Sequence, residues 1–102
     1  MISISTTSNS KEVLKEISDE LLRKNLTPCT HITKISKSSY IWEGEIVHKK
    51  EYKLEVKTIE EKLTLVIDCI KKKHNYEVFE LSKQKVNSLN KDYENWFKKQ
   101  ID

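Results

Sequence analysis

The chain of 102 residues has one glycine, one proline and two cysteines. A single glycine cannot build a phosphate-binding loop or a strand-to-helix nucleophile elbow, and neither motif is present. Cys29 and Cys69 have neither zinc-ligand nor thioredoxin spacing, which leaves two free thiols in a reducing compartment. No apolar run approaches a membrane span, and no basic segment followed by an apolar run opens the chain. A cytoplasmic location is the expectation, with no membrane partner. Charge of one sign is scarce too. The 19 basic residues are interleaved with 16 acidic ones for a net charge of +3. A nucleic-acid binder segregates its basic residues, so no nucleic-acid partner is expected.

What is present fits one domain over residues 1–102. Hydrophobic residues make up 36% and charged residues 34%, a polar balance for a small globule and a first pointer to self-assembly. Residues 1–6 alternate and predict a short strand, with Ile2 and Ile4 on one side. Asn9 and Glu12 suggest a helix N-cap with its reciprocal partner, followed by Val13, Leu14, Ile17 and Leu21 at helical spacing. That helix should end near Lys24 and Asn25. Pro28 opens a β-rich run over residues 29–40, and Gly44 marks a hairpin turn. The return strand carries Tyr52, Leu54 and Val56 at period two and continues to about residue 58. Thr58 and Glu61 read as a second capping box, before Leu63, Val66, Ile67 and Ile70 on an amphipathic helix ending in Lys71, Lys72 and Lys73. Residues 78–86 predict a further β segment. Asn90 should cap a last helix with Tyr93, Trp96, Phe97 and Ile101 on one face. The order β-α-β-β-α-β plus a C-terminal helix is an α+β, ferredoxin-like arrangement. Both crossovers are expected to be right-handed, with two helices on one face of an antiparallel sheet. The other face, or the strand edges, would be covered by self-assembly.

The densest chemistry lies in the run from Lys73 to Glu80. His74, Tyr76, Glu77 and Glu80 sit at a helix-to-strand junction and suit the rim of a small-ligand or cation site. Imidazole favours Cu, Zn or Ni, and carboxylates favour harder cations. A thiolate at Cys29 would take soft metals, and His31 lies two residues on, on the same strand face. Lys57, at a strand end beside a helix start, could help to hold an anion. Tyr40 and Trp42 share one face before the hairpin tip and suit interface anchors. Cys69 reads as structural and His48 as solvated. A His74–Glu77 acid–base pair is conceivable but unspecific.

Four motifs in order, Tyr40-Ile41-Trp42-Glu43-Gly44, Lys57-Thr58, His74-Asn75-Tyr76-Glu77 and Asp92-Tyr93-x-x-Trp96, resemble the CutA family of divalent-ion tolerance proteins over essentially the whole chain. The resemblance implies a ferredoxin-like protomer in a homotrimer similar to the PII signalling proteins, with the hairpin around Gly44 reaching a neighbour. It implies a link to copper and other divalent cations and no established catalytic activity. Tyr40, Trp42 and Trp96 are then expected at subunit interfaces. Lys57, Tyr76, Glu77 and Glu80 are expected in a ligand cleft, and His74 and Cys29 as ligands of a divalent or soft metal ion such as Cu or Zn. The junction departs from the family's His-Pro-Tyr-Glu-x-Pro-Glu, with Asn75 and Phe79 in place of the prolines and their fixed φ. Copper-binding members of the enteric branch place a cysteine and two adjacent histidines where Thr6, Lys73 and His74 stand here. The expected protein is a non-enzymatic trimer binding a cation or small ligand between subunits. The alternatives are a PII-like signalling module without metal, with an unknown small-molecule or protein partner, and an enzyme using His74, Tyr76 and Glu77.

Overall fold

The computed structural model describes residues Met1–Asp102. Strand β1 spans Ile2–Ser8, helix α1 Lys11–Arg23, β2 Cys29–Trp42, β3 Glu45–Thr58, α2 Leu63–Lys73, β4 Leu81–Lys85 and α3 Lys91–Ile101. The strands form one antiparallel sheet in the order β2-β3-β1-β4. This is the expected β-α-β-β-α-β order with its C-terminal helix.

Side chains alternate across a strand, so register fixes which residues share a face. Ile4 pairs with Val56 and Thr6 with Leu54, which places Ile2, Ile4, Leu54 and Val56 on one face. They pack against Leu14, Ile17 and Leu21 of α1 and Val66, Cys69 and Ile70 of α2. Each aliphatic side chain buried there contributes about 1.5–3 kcal/mol, and this two-layer contact is the main source of cohesion. The opposite face is polar: Ser3, Ser5 and Thr7 of β1 lie beside Lys57, Glu55 and Lys53 of β3, and Glu51, two residues before Lys53, shares that face.

Three local signals differ from expectation. The N-cap of α1 is Ser10, whose hydroxyl accepts from the Val13 amide at 3.2 Å, because Asn9 is turned towards the junction loop. Thr58 caps nothing. It ends β3 and donates to the Leu26 carbonyl at 2.7 Å, and α2 begins after a 3-10 turn at Glu60–Lys62. The expected β segment over residues 78–86 is strand only over Leu81–Lys85. Asn90 does cap α3, accepting from the Asp92 and Tyr93 amides, and Phe97 and Ile101 are buried. Lys62 Nζ donates to the carbonyls of Asn25 and Ile101, which ties the ends of α1 and α3 together.

Strands β2 and β3 outrun β1, whose last pair is Ser8 with Tyr52. Beyond it they form a free two-stranded arm. Glu43 and Gly44 close the arm, both at positive φ, as a two-residue hairpin turn requires.

Candidate functional site

A β-bulge decides what the arm presents. Ile35 pairs with Glu51 but Ser38 with Lys49, so β2 carries one extra residue, and every side chain beyond it changes face. Without the bulge Tyr40 and Trp42 would follow Ile32 and Lys34 onto the helix side. With it they stand opposite Val47 and Glu45, on the polar face that carries Glu51.

The junction after α2 lies across this face. Together they bound an open groove of about 1140 Å³ lined by Tyr40, Trp42, Glu51, Lys53, Tyr76 and Glu80, among others. Glu77, Val78 and Phe79 complete the junction side. The structure thus brings together Tyr40, Trp42, Tyr76, Glu77 and Glu80 of the expected residues.

Three consecutive side chains stitch the junction to the turn between β1 and α1. Tyr76 Oη donates to Glu51 Oε2 at 2.8 Å and accepts from the Asn9 amide at 2.8 Å. Burial first, then the Glu51 carboxyl group, pushes the phenol pKa up to about 12. The Ser8 hydroxyl donates to Asn75 Oδ1 at 2.6 Å, and Asn75 Nδ2 donates to Asn9 Oδ1 at 2.9 Å. His74 Nε2 lies 2.9 Å from the Thr7 carbonyl and 3.1 Å from Thr6 Oγ1, while the Tyr76 amide donates to His74 Nδ1 at 3.0 Å. Phe79 stacks on the imidazole with centroids 4.3 Å apart and planes 10° from parallel. Burial, the largest influence, holds the His74 pKa below its ordinary value against the opposing effects of the Thr7 carbonyl and Glu51. Asn75 and Phe79 therefore replace proline stiffness with hydrogen bonds and stacking that proline cannot make in this form.

Cys29 and Lys57 are elsewhere. They pair with each other, and Lys57 pairs with Ser3, four residues along β1 from Thr7, about 13 Å at roughly 3.3 Å per residue. At that end Lys57 Nζ sits 5.8 Å from the Tyr93 ring centroid, and burial, then the Cys29 thiol, raises the Tyr93 pKa. Within one protomer Lys57 is not part of the groove, and Cys29 does not meet His74. His31 is 3.6 Å from Glu55 Oε1, and Ser3 donates to Glu55 Oε2 at 3.0 Å. No cluster of three or more His, Cys, Asp or Glu side chains is placed to hold a metal ion. Cys69 is buried between the helices and donates to Glu20 Oε2 at 2.8 Å. Trp96, 42% exposed, lies on the outer side of α3 beside Tyr93. Sequence reasoning missed Glu51, because nothing in Lys50-Glu51-Tyr52 marks that acid as the buried one. The long β2, whose β-branched stretch breaks at Ser36-Lys37-Ser38, offered only a faint sign of the bulge.

The model of the family described as CutA1 divalent ion tolerance protein matches residues 2–100. A divalent-cation tolerance protein CutA from Thermotoga maritima is 35% identical over 101 residues, covering 99% of each chain. A probable homologue from Encephalitozoon cuniculi is 31% identical, covering 97% of this chain and 86% of the relative. Among solved structures, CutA1 from Pyrococcus horikoshii superposes with a TM-score of 0.90 at 27% identity, covering 100% of this chain and 99% of that one. The protein from Archaeoglobus fulgidus, described as a periplasmic divalent cation tolerance protein, gives 0.91 at 31% identity with both chains fully covered. No helix of the protein is long and apolar enough to cross a membrane.

Proposed function

The chain belongs to the CutA1 divalent ion tolerance family, and from that membership we propose that it serves divalent-cation tolerance as a non-enzymatic homotrimer. The groove between the arm and the junction is its binding cleft, closed by a second copy and occupied by a small ligand or a cation. The observation that carries this reading is the arm itself. Ile41 and Ile46 pair across its strands at 74% and 72% exposure, and Trp42, on the other face of the arm, is 50% exposed. Such a cross-strand apolar pair on a free hairpin suits burial against another protein surface. Tyr40, Trp42 and Trp96 are then interface anchors, and Lys57 and Cys29 reach a cleft only from a neighbouring copy. A phenol with a pKa near 12 is a poor proton donor at neutral pH, which supports a binding role for Tyr76 rather than a catalytic one.

A second reading, a PII-like signalling module without a resident metal, is favoured by the groove's size and lining. Its volume far exceeds that of an ion and is slightly above the usual range of small-molecule sites. Lys49 and Lys53 beside Tyr40 and Trp42 suit a small organic anion with an apolar or aromatic part.

Light scattering on the wild type and on an Ile41→Lys/Ile46→Lys double variant tests the assembly. A trimer that falls to a monomer with unchanged far-UV circular dichroism is the expected result. A variant that stays trimeric removes the arm from the interface.

A further inference from the structure

The family implies divalent metals, and imidazole is the donor in this junction best suited to the softer ones. The residues present do not fit that role. We infer that His74 is a positioning residue and not a metal ligand: as the Nε2–H tautomer it latches the junction onto β1 and sets the groove wall.

The tautomer follows from two partners that each act in one direction. A backbone amide only donates, so Nδ1, facing the Tyr76 amide at 3.0 Å, carries the lone pair. A carbonyl only accepts, so Nε2, 2.9 Å from the Thr7 oxygen, carries the proton. A metal binds a ring nitrogen through its lone pair. At Nδ1 it would displace the Tyr76 amide. At Nε2 it would require the proton to move to Nδ1, which would set two donors against each other. The Phe79 stack resists turning the ring away from both partners.

The surroundings add no second soft donor. Thr6 offers a hydroxyl, Lys73 directs its ammonium group to Glu20 at 3.8 Å, and Cys29 is at the far end of the sheet. The groove is left with oxygen donors from Glu51, Tyr76, Glu77 and Glu80. Glu51 and Tyr76 are engaged with each other, and the groove's acids form no group of three placed to hold a metal ion. What His74 contributes is the direction of the chain between Tyr76 and Phe79, and through it the Tyr76–Glu51 contact.

Long-range proton–nitrogen NMR on the wild type reads the tautomer directly. The expected spectrum has a bare, pyridine-type Nδ1 and a protonated Nε2 for His74, both unmoved by one equivalent of Zn(II) or Cu(I). A bare Nε2, or a metal-induced shift of either nitrogen, overturns the inference. His74→Ala should raise amide exchange at Tyr76 at least tenfold and leave Zn(II) and Cu(I) affinity within twofold of wild type. A tenfold loss of affinity with unchanged exchange overturns it. Should that variant fail to fold, the wild-type spectrum alone decides.

Discussion

Tyr76 Oη donates to Glu51 Oε2 across 2.8 Å and 25 residues of sequence. Glu51 is only 5% exposed and sits on the polar face of the sheet, so the phenol is what satisfies it. This one bond joins the junction after α2 to the base of the hairpin arm, the two walls of the groove. Tyr76→Phe removes it, together with the acceptor of the Asn9 amide. A buried polar group left unpaired costs about 1–3 kcal/mol. Urea unfolding of the variant should show a loss in that range at an unchanged m-value. A loss below about 0.5 kcal/mol would mean that water replaces the phenol freely.

The histidine latch gives stability a pH dependence. In the unfolded chain His74 takes up its proton near pH 6.5, and in the fold only at lower pH because burial disfavours the cation. Between those two values the unfolded state binds more protons, so stability falls as the pH drops below 6.5 towards the folded pKa. Above 6.5 the contribution is fully present. Thermal unfolding across pH 5 to 8 in wild type and His74→Phe should show this component of the slope in the wild type only. Equal slopes would place the dependence on other groups.

Burial, followed by the Glu20 contact, pushes the Cys69 thiol pKa up to about 12, and a protonated thiol is a poor nucleophile. Iodoacetamide at pH 8 should leave Cys69 unmodified in the native protein and alkylate it in guanidinium, as mass spectrometry of its peptide would show. Native-state alkylation at the unfolded rate would contradict its placement between the helices.

The bulge between Ile35 and Ser38 makes a prediction of its own. Deleting Lys37 removes the extra residue and returns Tyr40 and Trp42 to the helix side of the arm. The Trp42 emission maximum should shift and assembly should weaken, while the body keeps its melting transition. An unchanged mass and spectrum would show that the bulge does not set the arm's binding face.

Most of the fold was legible because burial writes a period into the chain. Ile2 and Ile4, Leu54 and Val56, and the α1 stripe of Leu14, Ile17 and Leu21 all lie where alternation or helical spacing put them. The helix starts were less legible, since several oxygen-bearing residues stand side by side. Ser10 caps α1 and Asn9 does not, for Asn9 is claimed by Asn75 and Tyr76, more than 60 residues away. The site was legible in part. Tyr76, Glu77 and Glu80, grouped by the sequence at one junction, line one groove, but the separation of Lys57 and Cys29 from it depends on strand register. The use made of both His74 nitrogens depends on neighbours from β1, and no local pattern encodes them.

Native mass spectrometry of the protein as isolated tests the central claim most directly, because it reads assembly and occupancy together. An ion of three chains, each of 12.1 kDa, is the expected result, with any zinc or copper ion it carries lost to a chelator equally in wild type and His74→Ala; a mass excess that survives the chelator would be the cleft's organic ligand. An ion of one chain would contradict the shared cleft, and loss of a bound zinc or copper ion to the chelator, abolished by His74→Ala, would contradict the role given to His74.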